Sequence, residues 1–188
     1  MKYISLGSEC SAAAALKNLG LRDASYPFDW LDANKGDMSK CLIEKFDHFM
    51  RDPVLSSTRI IANYGFEFPH DFPETNVKQG EEFLIVDNWK DYLEEVRKKY
   101  QRRINRFLAI LMGNEPIIFL RRDSPSDRVV NLMSSISQIN PFLKFGVAIA
   151  SKHKYELPMT ATCDPEKNGV WNDAEIWAEG IDRVKSLF

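Results

Sequence analysis

A glycine, a serine, an acid and a thiol stand together near the amino terminus, at Gly7-Ser8-Glu9-Cys10. The apolar run Tyr3-Ile4-Ser5-Leu6 precedes them and the alanine-rich segment 11–19 follows. That pattern predicts a buried strand, a tight turn and the first turn of a helix. Cys10 would then lie among backbone N–H groups that lack intrahelical partners. The partial positive charge of a helix start favours a thiolate there. Thiol catalysis also needs a base and donors for a developing oxyanion. The backbone N–H of Cys10 itself can contribute to the last of these, while Glu9 works against the thiolate if it points inward. The competing reading is a buried, structural cysteine.

Two further stretches carry groups that could serve the thiol. Tyr26-Pro27-Phe28-Asp29-Trp30-Leu31 sets a carboxylate among aromatics and a proline, which predicts a compact buried loop. A carboxylate in such a place needs a partner. The plain reading is that Asp29 ties down backbone N–H groups, because buried polar groups are paired. Phe68-Pro69-His70-Asp71-Phe72-Pro73 is too rigid and aromatic for a linker. His70 is the candidate base, with His153 second. Neighbouring side chains in an extended segment face opposite ways, which favours Asp29 over Asp71 as the acid that orients His70. His70 could equally cap a nearby carbonyl.

The elements that must position these groups follow from periodicity. Residues 40–50 place Leu42, Ile43, Phe46, Phe49 and Met50 on a helical face, with His48 off it. Residues 59–62 and 83–86 read as short strands and 75–82 as a polar surface loop. A long helix spans about 91–112, with Leu93, Val96, Tyr100, Ile104, Phe107 and Leu111 recurring at steps of three and four. Its other face carries Arg97, Lys98, Lys99, Arg102, Arg103 and Arg106. Glu94 and Glu95 open the same helix and no aromatics interleave the arginines, so a solvated face is expected. Pro116-Ile117-Ile118-Phe119-Leu120 is a buried strand ending in Arg121-Arg122-Asp123. Ser124-Pro125-Ser126-Asp127 then reads as the capped start of a helix through Val130, Met133 and Ile136. A second buried strand, 145–150, ends in Ser151-Lys152-His153. Residues 156–169 look irregular, and Asn172 with Glu175 opens a last amphipathic helix.

Strands that are apolar throughout, alternating with helices, predict an α/β fold of three layers: a mostly parallel sheet with helices on both faces. In such sheets ligands sit outside the carboxyl ends of the strands, where chain order reverses. Three turns would crest that edge: 7–10, 121–123 and 151–153. The rim would carry a nucleophile at Cys10, substrate-binding groups at Gly7, Ser8 and Arg121, and a histidine at His153.

The 188 residues fit one domain over 1–188, long enough to bury a core without disulfides or metal. With 25 basic and 27 acidic side chains the formal net charge is −2, which gives no electrostatic basis for nucleic acid or membrane as partner. No run approaches the ~18 apolar residues that span a bilayer, and Met1-Lys2 does not open a signal peptide. A cytoplasmic protein is expected. Three cysteines without a CxxC pair and three histidines without HExxH spacing predict neither a disulfide framework nor a metal site, and no cofactor is expected.

Ile4-Ser5-Leu6-Gly7-Ser8-Glu9-Cys10, Leu19-Gly20-Leu21-Arg22, Tyr26-Pro27-Phe28-Asp29-Trp30, Phe68-Pro69-His70-Asp71-Phe72 and the 100–107 helix segment together resemble a bacterial family of unknown function described as papain-like cysteine peptidases. The resemblance implies a Cys10/His70 pair, with Asp29 and Asp71 as the acids of matching motifs, acting as a hydrolase or acyl transferase on a peptide, glycan or small molecule. It also implies that several helix arginines are internal. A papain-like α+β fold would set the cysteine helix on an antiparallel sheet, whereas the periodicity predicts parallel strands. A strand-to-Gly-Ser turn is also how an SGNH-like hydrolase presents its serine, which makes Ser8 a rival nucleophile. The Asp-x-x-His such enzymes use near the C-terminus is absent. The alternative function is a non-peptidase module that binds an anionic small molecule or glycan at the strand-end crevice through Arg121 and the 7–10 amides.

Overall fold

The computed structural model describes residues 1–122, 126–164 and 174–188. The chain opens with strand β1 (Lys2–Ser5) and helix α1 (Ser11–Asn18), followed by α2 (Met38–Ile43). Five short strands come next: β2 (Val54–Ser56), β3 (Arg59–Ile61), β4 (Glu67–Phe68), β5 (Glu74–Gln79) and β6 (Glu82–Ile85). Helix α3 (Leu93–Leu111), strand β7 (Ile117–Arg122), helix α4 (Ser126–Ile139), strands β8 (Phe145–Ala150) and β9 (Thr160–Cys163), and helix α5 (Ala174–Lys185) complete the described order.

The main sheet has four strands in the order β1-β7-β8-β9, and every pairing in it is parallel. Alternate residues along each strand enter opposite cores, as the pleat requires. Ile118, Leu120, Ala148 and Ala150 face α1 and α5, where Ala12, Ala15, Leu16, Ile176, Trp177 and Ile181 cover them. Ile117, Phe119, Val147 and Ile149 face the other way, onto α3 and α4. Small side chains on α1 allow a close approach to the sheet, which is the use of its alanine run. The result is the three-layer α/β architecture. A cysteine helix on an antiparallel sheet, the papain-like alternative, is not what forms, because α1 packs on parallel strands that are buried on both faces.

Strand order is sequential among the described strands, so the expected reversal of chain order is missing from this sheet. The carboxyl ends of β1, β7 and β8 nonetheless share one edge, as parallel register demands.

Several local expectations are corrected. Residues 74–85 form the antiparallel hairpin β5–β6 rather than a strand after a loop, turning at Gly80 with φ +65°. Most of its side chains are exposed, so neither face shows an apolar alternation. Strand β9 lies inside the stretch read as irregular; its Thr-Ala-Thr-Cys sequence buries only alternate residues. Helix α2 stops at Ile43, and the chain turns through Lys45 and Phe46, both at positive φ. On α4 the buried stripe is Val129, Leu132 and Ile136, one residue off the predicted Val130 and Met133. The predicted starts at Ser124-Pro125 and Asn172 lie outside the described residues. No described helix is long and apolar enough to cross a membrane.

Between α1 and β7 the chain builds an aromatic cluster over the α3 face of the sheet. Phe28 meets Phe46, Phe66 and Phe107 at centroid distances of 5.5, 5.6 and 5.8 Å. Phe49 and Phe68 extend it to Tyr100, each at 5.3 Å. This cluster fixes the 26–31 loop against the turn that carries Cys10. A Cβ on Gly7 would lie 3.0 Å from the Phe28 carbonyl oxygen, and Gly7 itself sits at φ +68°, so only glycine fits.

The hairpin also yields a pH prediction. Arg59, then Thr58, hold the Glu82 carboxyl at about 2, down from its ordinary 4.5. The unfolded chain therefore binds more protons between those values, so stability rises with pH there and is lost as pH falls from about 4.5 toward 2. Glu82→Gln is expected to flatten this part of a plot of melting temperature against pH, and an unchanged slope would show the Arg59 pairing to be inert.

Candidate functional site

The turn before α1 is strained. Gly7 at φ +68° is followed by Ser8 at φ +79°, a region that non-glycine residues seldom adopt. Ser8 is held there from two sides: its Oγ donates to the Arg122 carbonyl, and its own carbonyl accepts the Ala33 amide at 3.3 Å. The Ser8 side chain thus points to β7, and Cys10 is the cap residue of α1, with no side-chain hydrogen bond. Ser8 is buried, and its hydroxyl is spent on a backbone carbonyl. Backbone held in such a state clusters at functional sites.

Cys10 leaves this turn partly exposed, while Cys41 and Cys163 are buried. Burial raises the Cys10 thiol above its ordinary value, its own backbone N–H opposes this, and Glu9 adds to the rise. The expected depression by the helix start therefore does not prevail: α1 is only eight residues long and a carboxylate stands next door. Glu9 is partly neutralised by Arg122, whose Nε lies 2.9 Å from its carboxylate. The other two thiols are held further up, Cys163 to about 12 by burial and Cys41 in the same direction by burial and then Glu44.

His70 is exposed and lines a cleft of about 230 Å³ with Thr58, Arg59, Glu74, Glu81 and Glu82; Cys10 is not among the residues of that cleft. His153 is also exposed, just past β8 on the carboxyl edge, where its backbone N–H donates to Ser151 Oγ at 3.1 Å.

The two candidate acids are engaged elsewhere. Asp29 Oδ2 accepts from Arg22 Nη2 at 2.8 Å and from the Tyr26 amide at 3.1 Å. Burial raises its pKa, and Arg22 with the Tyr26 amide pulls it back down. Its role is thus the plain one, locking the 26–29 turn, with a guanidinium as partner. The Asp71 side chain is buried, accepts from Tyr100 Oη at 2.7 Å and pairs with Lys99. Neither acid is hydrogen-bonded to His70 as an orienting group would be.

The α3 basic face is exposed along Arg97, Lys98, Arg102 and Arg106, but several of its cations are engaged with the protein rather than simply solvated. Besides Lys99 on Asp71, Arg103 stacks on the Tyr100 ring at 5.1 Å. Arg97 Nη2 donates to the Met50 and Arg51 carbonyls at 2.9 and 3.1 Å, and Arg106 Nη1 to the Ser25 carbonyl at 2.6 Å. Lys99 and Arg103 are the half-buried members of that face. Carbonyls of tight turns and buried carboxylates attract these cations, and neither is visible as a helical pattern. Arg22 was likewise missed. The signal for it was the rule that a buried carboxylate needs a partner, which does not say which cation supplies it.

Arg121 is 3% exposed and donates from Nη1 to the Leu6 carbonyl at 2.8 Å, at the end of β7 beside the Cys10 turn. It lines a cavity together with Lys35, Asp37, Asp127 and Arg128, none of which the sequence reading took as a site residue. Among the described residues no group of three or more His, Cys, Asp or Glu side chains is placed to hold a metal ion.

A curated relative, "Uncharacterized protein R408" of Acanthamoeba polyphaga mimivirus, is 29% identical over 222 residues, spanning 94% of this chain and 95% of that protein. Its source is a giant virus, not a bacterium as the resemblance implied. No solved structure gives a significant match. A family model matches residues 1–154, a span that holds the Cys10 turn, the 26–31 loop, His70 and Arg121, and by that match the chain belongs to the family described as "Putative papain-like cysteine peptidase (DUF1796)".

Proposed function

We propose that the protein is a cysteine-dependent hydrolase or acyl transferase with Cys10 as nucleophile. The observation that carries this reading is the placement of Cys10: a partly exposed thiol on a strained strand–turn–helix junction at the carboxyl edge of a parallel sheet. Membership of a family described as cysteine peptidases supports it. The thiolate of Cys10 attacks an acyl carbon, the leaving group departs with a proton, and water or a second nucleophile releases the acyl group. Atoms balance with no further reactant. His70 is the base this reading assigns, on motif resemblance, and the 7–10 amides are the candidate oxyanion donors.

Iodoacetamide labelling followed by peptide mapping tests it. Cys10 is expected to react at least tenfold faster than Cys41 and Cys163 at neutral pH, since of the three it alone is partly exposed and burial pushes the other two thiols well up. Equal rates at all three thiols would remove the basis of the proposal. The base is tested separately by the pH dependence of the Cys10 rate. With His70 as base, His70→Gln lowers the neutral-pH rate several-fold and changes its dependence on pH. An unchanged profile assigns the base elsewhere and leaves Cys10 as the nucleophile.

A further inference from the structure

The rungs that join β1 to β7 are evenly spaced, as parallel pairing requires. The Lys2 amide donates to the Pro116 carbonyl at 2.9 Å and the Leu6 amide to the Leu120 carbonyl at 2.8 Å. The same spacing would next join the Ser8 amide to the Arg122 carbonyl. A side chain makes that rung instead: Ser8 Oγ donates to the Arg122 carbonyl. By this point the chain has left the strand path, with Gly7 at φ +68° and Ser8 at φ +79°. The Gly7 amide is taken by Ser5 Oγ at 3.2 Å, and the Ser8 carbonyl accepts from the Ala33 amide at 3.3 Å. Ser8 is 1% exposed, so water is a poor substitute for either partner. Cys10 follows two residues later as the cap residue of α1, its carbonyl accepting from the Ala14 amide at 2.9 Å.

A non-glycine residue in the left-handed region is strained, and it stays there only where its surroundings overdetermine it. Ser8 meets that condition through one bond from its side chain and one to its carbonyl. Glycine would adopt the same backbone more easily, yet it would leave the Arg122 carbonyl without its donor. We propose that Ser8 is a positioning residue for Cys10: its hydroxyl completes the β1–β7 ladder in place of the backbone amide, and this holds the turn in the kinked path that keeps the thiol on the rim. The inference rests on Cys10 being the nucleophile, and it gives Ser8 the placement of the thiol rather than attack on the substrate. Without the hydroxyl, the Ser8 amide is the donor left to close that rung. Closing it straightens the turn along β7 and draws Cys10 inward. Burial, the leading cause of the raised Cys10 thiol, then grows. Glu9, the charged group that bears on the thiol, lies in the same turn and is held by Arg122 Nε at 2.9 Å.

Two variants separate the hydroxyl from the backbone strain. Ser8→Ala removes the hydroxyl and keeps the strained φ, while Ser8→Gly removes the hydroxyl and relieves the strain. Iodoacetamide labelling of Cys10 is followed against pH in both, with Cys41 and Cys163 as internal references and the melting temperature as the measure of the fold. Both variants are expected to label Cys10 several-fold more slowly than the wild-type protein at neutral pH. The midpoint of the pH profile is expected to move upward, with Cys41 and Cys163 staying slow. A wild-type profile in Ser8→Gly overturns the proposal, because backbone freedom at position 8 then suffices without the hydroxyl. A wild-type profile in Ser8→Ala overturns it as well. So does a rise in Cys41 and Cys163 labelling beside a lowered melting temperature in both variants, which would show Ser8 holding the whole fold rather than the thiol. The nucleophile reading fails on a different result, equal labelling of all three thiols in the wild-type protein. A selective Cys10 in the wild-type protein with unchanged profiles in both variants removes the positioning role alone.

Discussion

Phe107→Ala is expected to lower the stability of the fold by about 3–5 kcal/mol, the usual loss for emptying a large aromatic site in a core. Phe107 is fully buried on α3. Its ring meets Phe28 at 5.8 Å, Phe46 at 5.9 Å, and Tyr26 and Phe119 at 6.4 Å each. It is the residue through which the sheet, the long helix and the 26–31 loop touch one another. Removing it loses the transfer free energy of the ring and leaves a cavity that four other aromatic rings cannot fill without leaving their rotamers. For a chain of this length the melting temperature is expected to fall by on the order of 10 °C, at roughly 2–4 °C per kcal/mol. Urea unfolding measures the loss directly. Phe142→Ala serves as the control, since Phe142 is 90% exposed and its truncation should stay within about 0.5 kcal/mol. A loss under about 1 kcal/mol for Phe107 would show that the 26–31 loop is held by something other than this cluster.

The second large effect concerns Asp71. Asp71→Ala is expected to destabilise by about 3 kcal/mol, the lower end of the range for breaking a buried ion pair, because it strands the Lys99 ammonium and the Tyr100 hydroxyl together. The lower end applies because the Lys99 side chain is 32% exposed, so water screens part of the stranded charge, whereas Asp71 is 3% exposed. Tyr100→Phe should cost about 1.5 kcal/mol, the figure for a hydrogen bond to a charged partner. The two changes should not add, since they share one carboxylate. The experiment decides the role of this acid. A structural Asp71 lowers the urea midpoint and leaves the pH profile of Cys10 labelling in place. An Asp71 that orients an imidazole would shift that profile and leave the midpoint nearly unchanged. The geometry favours the first outcome, because both carboxylate oxygens are occupied by groups on α3.

These two predictions bear on how the family resemblance is to be used. Motif matching pairs Cys10 with His70 and offers Asp29 and Asp71 as the acids. The structure gives each acid a different partner: Arg22 for Asp29, and Lys99 with Tyr100 for Asp71. Both acids therefore join the 26–31 and 68–73 segments to the rest of the fold. A segment can recur across a family because it builds the platform for a thiol, and such a residue acts on Cys10 only through the position of the turn.

What the amino-acid sequence by itself determined is the layered α/β architecture and the strand–turn–helix junction at Cys10. Continuous apolar runs at 117–120 and 145–150 announced strands buried on both faces, and the steps of three and four from Val96 to Leu111 announced the face of α3. These signals are local, because burial of a strand or helix face is written in consecutive residues. Where burial is partial the signal fades: β9 alternates short polar and apolar residues, the β5–β6 hairpin is exposed on both sides, and α4 offers two adjacent apolar stripes of which only one fits the sheet. Tertiary structure alone decided the partners of the charges. Tyr100 reaches Asp71 across 29 residues and Arg121 reaches the Leu6 carbonyl across 115, distances over which no periodicity carries information. It also decided that the Cys10 thiol is raised rather than lowered, since desolvation depends on what packs around the sulfur and the short helix behind it is too weak to oppose that.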